Sequence, residues 1–192
     1  MSDEITVKFL NAPWEKIRDE LYVYLFAASP PDVRTQKQKR SSQKTRCMIA
    51  LDTNILVYAT RAEYPFHMEA HRALSELSSS SGRWTIPWPC AHEFLGVVTD
   101  QKFHHPPTPH NMAMQFLKNC VAFPSFGFIG EGCGYMDILD SLFLSSKATG
   151  CMIHDEKIAA ICIHHGVSEL WSADRNFSRF PKLKTRNPLV KK

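Results

Sequence analysis

Met48-Ile49-Ala50-Leu51-Asp52-Thr53-Asn54 is the stretch on which the fold of this chain turns. Its first four residues are apolar without alternation, the pattern of a strand buried on both faces of a parallel sheet. The run stops at Asp52. A carboxylate at the end of a buried strand is seldom ornamental, because burying a charge is costly unless it has a task or a partner. A helix is expected from about Asn54 to Thr60.

Downstream, strand and helix signals alternate. Phe66–Ser79 places Ala70, Ala73, Leu74 and Leu77 on one helical face and ends in a Ser-rich turn. Trp84–Pro87 reads as a second strand, Cys90–Gln101 as a helix carrying Glu93, and His104–Pro109 as a break. His110–Val121 resumes helix, Phe126–Ile129 suits a short strand, and Tyr135–Ala148 is helical. Asp155–His165 is a further helix stopped by Gly166, and Glu169–Trp171 is a strand leading into Ser172-Ala173-Asp174. Strands alternating with helices imply an α/β fold with a mainly parallel sheet.

Upstream the pattern changes. Trp14, Ile17, Leu21, Tyr24, Leu25 and Ala28 recur at helical spacing, which describes one amphipathic helix. Arg34–Arg46 carries six basic residues and no acid, the composition of an exposed linker or of a nucleic-acid-binding arm. The expected organisation is therefore an N-terminal extension over 1–47 and a globular domain over 48–192. An upstream choice of start site is one account of the extension.

The chain has 192 residues, 44% hydrophobic and 22% charged, which excludes a wholly disordered protein. Its longest wholly apolar run, Leu21–Ala28, is far short of a membrane span, and the acidic start Met1-Ser2-Asp3-Glu4 lacks the pattern of a signal peptide. A cytoplasmic protein without membrane attachment is expected. The six cysteines are scattered with no C-x-x-C pair, which argues against a zinc site. The net charge of +4 lies mostly in residues 1–47, so charge alone argues only weakly for a polyanionic partner.

Four acids stand out: Asp52 and Asp174 just past buried strands, Asp155 at the head of an apolar helix, and Glu93 among Phe94, Leu95, Val97 and Val98. Glu93 and Asp155 are expected to be partly buried. Each acid has an ordinary alternative: Asp155 as a helix cap, Asp174 as a turn former, Glu93 on a solvated face. Carboxylates converging at one sheet edge, however, cannot all remain ionised without cations. All-oxygen ligands suit Mg²⁺ or Mn²⁺, which polarise a phosphate and activate water, so phosphodiester hydrolysis is the matching chemistry.

Leu51-Asp52-Thr53-Asn54, the Glu93-Phe94 helix, His154-Asp155-Glu156-Lys157-Ile158-Ala159-Ala160 and Ser172-Ala173-Asp174-Arg175-Asn176-Phe177 together resemble the PIN domain, and within it the VapC toxins of type II toxin–antitoxin systems. The acids follow in order at separations of 41, 62 and 19 residues. Gly130-Glu131-Gly132-Cys133-Gly134-Tyr135 resembles part of one VapC subgroup. The resemblance implies a three-layer α/β/α sandwich with a mainly parallel central sheet. It implies an endoribonuclease dependent on Mg²⁺ or Mn²⁺, with Asp52, Glu93, Asp155 and Asp174 as catalytic residues and metal ligands. It implies attack of water on an RNA phosphate in line, leaving 5′-phosphate and 3′-hydroxyl ends. Partners implied are an RNA substrate, a cognate antitoxin and a second copy in a homodimer. Thr53, Asn54 and Ser172 are expected to orient the acids, with a helix cap as the alternative for Asn54. Position 176 is Asn where the family commonly has Asp.

Arg61, Lys102, Arg175 and Lys182 are candidate RNA contacts. His67 and His71 are expected at the surface or an interface, and Trp84 and Trp88 in the core. A non-catalytic RNA- or antitoxin-binding module is the competing function, and the presence of all four acids argues against it. A phosphatase using Asp52 as nucleophile would want a second Asp two residues on, where Asn54 stands.

Overall fold

A computed structural model of the chain describes residues 47–146 and 149–190. The amphipathic helix and basic linker expected upstream lie outside the described residues.

Five parallel strands form one sheet in the order β3-β2-β1-β4-β5. They are β1 (Met48–Leu51), β2 (Arg83–Pro87), β3 (Phe126–Ile129), β4 (Glu169–Trp171) and β5 (Thr185–Arg186). The helices are α1 (Thr53–Thr60), α2 (His67–Ser79), α3 (Trp88–Thr99), α4 (His110–Val121), α5 (Tyr135–Ser146) and α6 (Met152–His164), with a 3₁₀ turn at Arg175–Arg179. Among the described residues no helix is long and apolar enough to cross a membrane.

The apolar run around Ala50 and Leu51 is central, as its lack of alternation requires: both residues are wholly buried. Ala50 pairs with Thr85 of β2 on one side and Leu170 of β4 on the other. The chain builds outward from β1 to β3, then crosses back to lay β4 on the opposite side of β1. That reversal opens a crevice beyond the carboxyl ends of β1 and β4, where open parallel sheets bind their ligands. Asp52 and Ser172 stand there.

α6 is apolar on nearly every side because it is packed nearly all round: Ile158, Ala159, Ala160, Ile161 and Cys162 are buried, against α3, α5, β2 and the 3₁₀ turn. It starts at Met152, earlier than expected, just after Gly150 adopts a positive φ of 61° that ends the preceding segment. Asp155 therefore lies inside the first turn and Cys151, not Asp155, is the cap. α3 likewise starts at Trp88, with Pro89 in its first turn where a missing N–H is harmless.

Three expectations are corrected. Trp84 is core, in ring contact with Phe126 and Phe123, but Trp88 is 44% exposed because it lies past the end of β2. His67 is buried, its Nδ1 2.8 Å from the Tyr58 carbonyl oxygen. Glu93 is exposed, since the buried side of α3 is formed by Cys90, Ala91, Phe94 and Val98.

Candidate active site

The site is built around Asp52, which ends β1 and caps α1. Its backbone N–H donates to the Trp171 carbonyl (3.0 Å), carrying the β1–β4 pairing past the last strand residue. Its side chain is only 5% exposed. Oδ1 accepts from the Thr53 backbone N–H (2.8 Å) and lies 3.7 Å from the Cys90 thiol. Oδ2 accepts from Asn54 Nδ2 and from the Ser172 hydroxyl, both at 2.6 Å. These donors hold the carboxylate rigidly.

Ser172 and Asn54 tie the two strand ends together. The Ser172 hydroxyl donates to Asp52 and accepts from Asn54 Nδ2 (3.1 Å) and from the Asp174 backbone N–H (2.9 Å), which uses its full capacity. Asn54 Oδ1 accepts from the Ala173 backbone N–H (3.0 Å). Asn54 is thus inside α1, bridging to the β4 end, and the cap is Asp52. Thr53 reaches the other way, donating from Oγ1 to Glu93 Oε2 at 2.6 Å. Asp174 caps the 3₁₀ turn, accepting from the Asn176 backbone N–H (2.8 Å) and from Asn176 Nδ2 (3.2 Å). The Asp174 carboxylate is thereby linked to Asn176 through both its backbone and its side chain.

Electrostatics draws the four acids into one system. Burial first, and then the charges of Glu93 and Asp155, raise the Asp52 carboxyl to about 6 against the lowering effect of the Ser172 and Thr53 hydrogen bonds. Asp155, half-buried, is also raised, first by desolvation and then by Asp174; Arg179 and His154 work against this. Sequence inspection missed Arg179, which reaches the acids only through the 3₁₀ turn. Cys90 was missed as well: buried against Asp52, its thiol is pushed well upward by desolvation.

The donor chemistry fits a hard divalent cation. The available atoms are carboxylate oxygens, and their mutual repulsion is what a cation would relieve. Among the described residues no three His, Cys, Asp or Glu side chains stand at metal-holding spacing.

Of the candidate RNA contacts, Lys102, Arg175 and Lys182 are exposed. Arg61 is engaged elsewhere: its guanidinium donates to Glu63 (2.7 Å from Nε), Thr108 Oγ1 (2.9 Å) and the Pro106 carbonyl (3.0 Å). It fastens the loop between α3 and α4 to the end of α1.

Two predictions arise here. Ser172→Ala removes the donor that orients Asp52 and one partner of Asn54. The effect expected of a supporting hydrogen bond in such a site is a roughly 10- to 100-fold loss of cleavage, measured on purified protein. The second concerns pH. Because the folded-state pKa of Asp52 is raised, the native state holds this proton more tightly than the unfolded chain. Stability from this group is present below about pH 4 and is lost as pH rises through about 6. A shift of this size corresponds to about 3 kcal/mol. In chelator, thermal melts should fall between pH 4 and 7, and Asp52→Asn should flatten that slope.

Residues 49–183 match the PIN domain family. Ribonuclease VapC48 of Mycobacterium tuberculosis is 28% identical over 137 residues, covering 71% of this chain and 94% of that protein. Ribonuclease VapC43 of the same organism is 30% identical over 142 residues, covering 74% and 96%. Among solved structures, VapBC2 from Rickettsia felis, bound to a DNA fragment from its promoter, superposes with a TM-score of 0.54 at 19% identity, over 73% of this chain and 98% of that one. With the family match spanning almost the whole described sheet and a relative aligned over nearly its full length, the chain belongs to the PIN domain family and, within it, to the VapC ribonucleases.

Proposed function

We propose that this chain is an endoribonuclease that hydrolyses RNA phosphodiester bonds with Mg²⁺ or Mn²⁺ and serves as the toxin of a type II toxin–antitoxin system, inhibited by a cognate antitoxin. The observation that carries the reading is the buried Asp52 carboxyl, gripped by four donors and pushed to about 6 within a group of acids. Such a group is unfavourable by itself and favourable around a cation. The relatives' names, Ribonuclease VapC48 and Ribonuclease VapC43, support it.

A bound cation supplies the charge that lets the acids ionise together and polarises phosphate and water. The chain's residues do the rest. Asp52 gives a fixed ligand whose direction is set by Ser172, Asn54 and the Thr53 backbone. Asp155 and Asp174 complete the set, from the first turn of α6 and the head of the 3₁₀ turn. Exposed Glu93, steadied by Thr53, ligates or orients the attacking water. Arg179, beside Asp155, is placed to meet negative charge on the substrate.

The catalytic unit in this reading is residues 48–192. A homodimer is part of it, supported by an apolar face on α5: Met136, Phe143 and Leu144 are 69%, 47% and 74% exposed and share one side of the helix.

The test is cleavage of total RNA by the purified chain, with either cation and with EDTA, followed by sequencing of the new ends. Cleavage that EDTA abolishes and either cation restores is the expected result. Cleavage unaffected by EDTA would remove the metal from the mechanism. No cleavage by folded, cation-supplied protein would favour a non-catalytic binding module.

A further inference from the structure

Gly130-Glu131-Gly132-Cys133-Gly134 plays no part in the site described above, yet two of its glycines are held at close quarters. A Cβ at Gly130 would lie 3.3 Å from Cδ1 of Trp88, and one at Gly132 would lie 2.9 Å from Nε2 of His164. His165 Nε2 lies 2.7 Å from the Gly130 carbonyl, completing the attachment of this loop to α6. The loop thus forms a wall against Trp88.

Trp88 itself is out of keeping with its neighbours. Trp84 and Trp171 are buried, whereas Trp88 keeps 44% of its surface exposed. It is nevertheless ordered by stacking. The Phe128 ring lies parallel to it, 4.3 Å away with 17° between planes, and His92 lies at 5.5 Å and 30°. Trp88, His92, Gly130, Lys157 and Ile161 border a hollow of about 390 Å³. Lys157 is held at its margin by an ion pair with Glu131 (3.1 Å).

The position of this hollow gives it a meaning. Trp88 directly follows Pro87 and Gly130 directly follows Ile129, and these two strand ends are paired. The hollow therefore opens at the carboxyl edge of the sheet, the edge that carries Asp52 and Asp174. Pro89 and Glu93 stand one turn apart on the same face of α3. An open indole, the His92 ring and Lys157, the last shared with Glu131, beside a phosphodiester-cleaving site suit one ligand class. Unpaired nucleobases stack on aromatic rings while their phosphates meet cations and N–H donors.

We propose that Trp88, backed by Phe128 and flanked by His92 and Lys157, is a stacking platform for an unpaired base of the RNA strand next to the scissile phosphate. The inference rests on the ribonuclease reading and deepens it: the substrate is single-stranded where it crosses β2 and β3. Trp88 acts as a positioning residue. A side chain at Gly130 would crowd the indole edge, which would have to shift by a few tenths of an ångström.

The experiment measures binding and cleavage separately on the full chain. Fluorescence anisotropy with a labelled single-stranded 12-nucleotide RNA, in EDTA, compares wild type with Trp88→Ala and Trp88→Phe. Loss of one stacked base should weaken binding by about tenfold in Trp88→Ala, and Phe should restore most of it. With cation present, the loss in Trp88→Ala should fall on KM more than on kcat. Equal binding by wild type and Trp88→Ala overturns the platform, as does no binding by wild type. Equal loss in Trp88→Ala and Trp88→Phe overturns it in favour of a structural role. Impaired self-association of Trp88→Ala in sedimentation, with RNA binding intact, overturns it in favour of a protein contact. The two readings fail separately. Trp88-dependent binding without wild-type cleavage keeps Trp88 as an RNA-stacking residue and overturns the nuclease reading, and with it the platform's place beside a scissile phosphate. Cleavage with Trp88-independent binding does the reverse.

Discussion

Asp52→Asn should reduce RNA cleavage by on the order of 10³-fold, the rate factor equivalent to several kcal/mol of transition-state charge stabilisation by a metal centre. The substitution is nearly isosteric, so the effect is electrostatic. Asn presents an N–H₂ where Asp52 accepts from Thr53 and Cys90 or from Asn54 and Ser172. It cannot carry the negative charge a cation needs. Single-turnover cleavage of a defined RNA, with circular dichroism to show that the fold persists, checks this. Activity within a factor of ten of wild type would dislodge Asp52 from the centre of the site.

Phe177→Ala should be the most damaging core change near the site, costing about 3–5 kcal/mol as for other buried aromatic truncations. Phe177 is 1% exposed and lies in the 3₁₀ turn that Asp174 caps, with Phe180 beside it at a ring separation of 6.2 Å. It anchors the segment that presents Asp174 and Arg179. A loss of this size is a large fraction of the 5–15 kcal/mol typical of a domain. Urea unfolding monitored by circular dichroism measures it. A midpoint close to that of wild type would mean that the turn is held by other contacts.

The central strands were legible because burial on both faces leaves an unbroken apolar run, as in Met48–Leu51. β5 was not, since Thr185–Arg186 is two residues long, pairs only with β4 and carries no pattern. The acids were legible as residues following strands or heading helices, and the resemblance gathered them into one site. Their environments were not. Glu93 sits among apolar neighbours in sequence, but those neighbours occupy other sides of α3 and leave it exposed. Trp88 reads as core by its type and lies outside it because the strand ends one residue before. Arg179 and Cys90 approach Asp155 and Asp52 through tertiary packing alone, and no spacing rule connects them.

The hydrogen bond from Ser172 to Asp52 joins residues 120 positions apart, and that from Ala173 to Asn54 joins residues 119 apart. Closing so long a loop is slow, and nothing rewards it until both ends exist. During synthesis β1 emerges early and waits, with one edge unpaired, for β4 to be made. A nascent chain short of Glu169 has no second wall to its crevice, no hydroxyl to aim Asp52 and no Asp174. The geometry around Asp52 is therefore completed only by residues made some 120 positions later, and cannot be assembled from the first half of the fold.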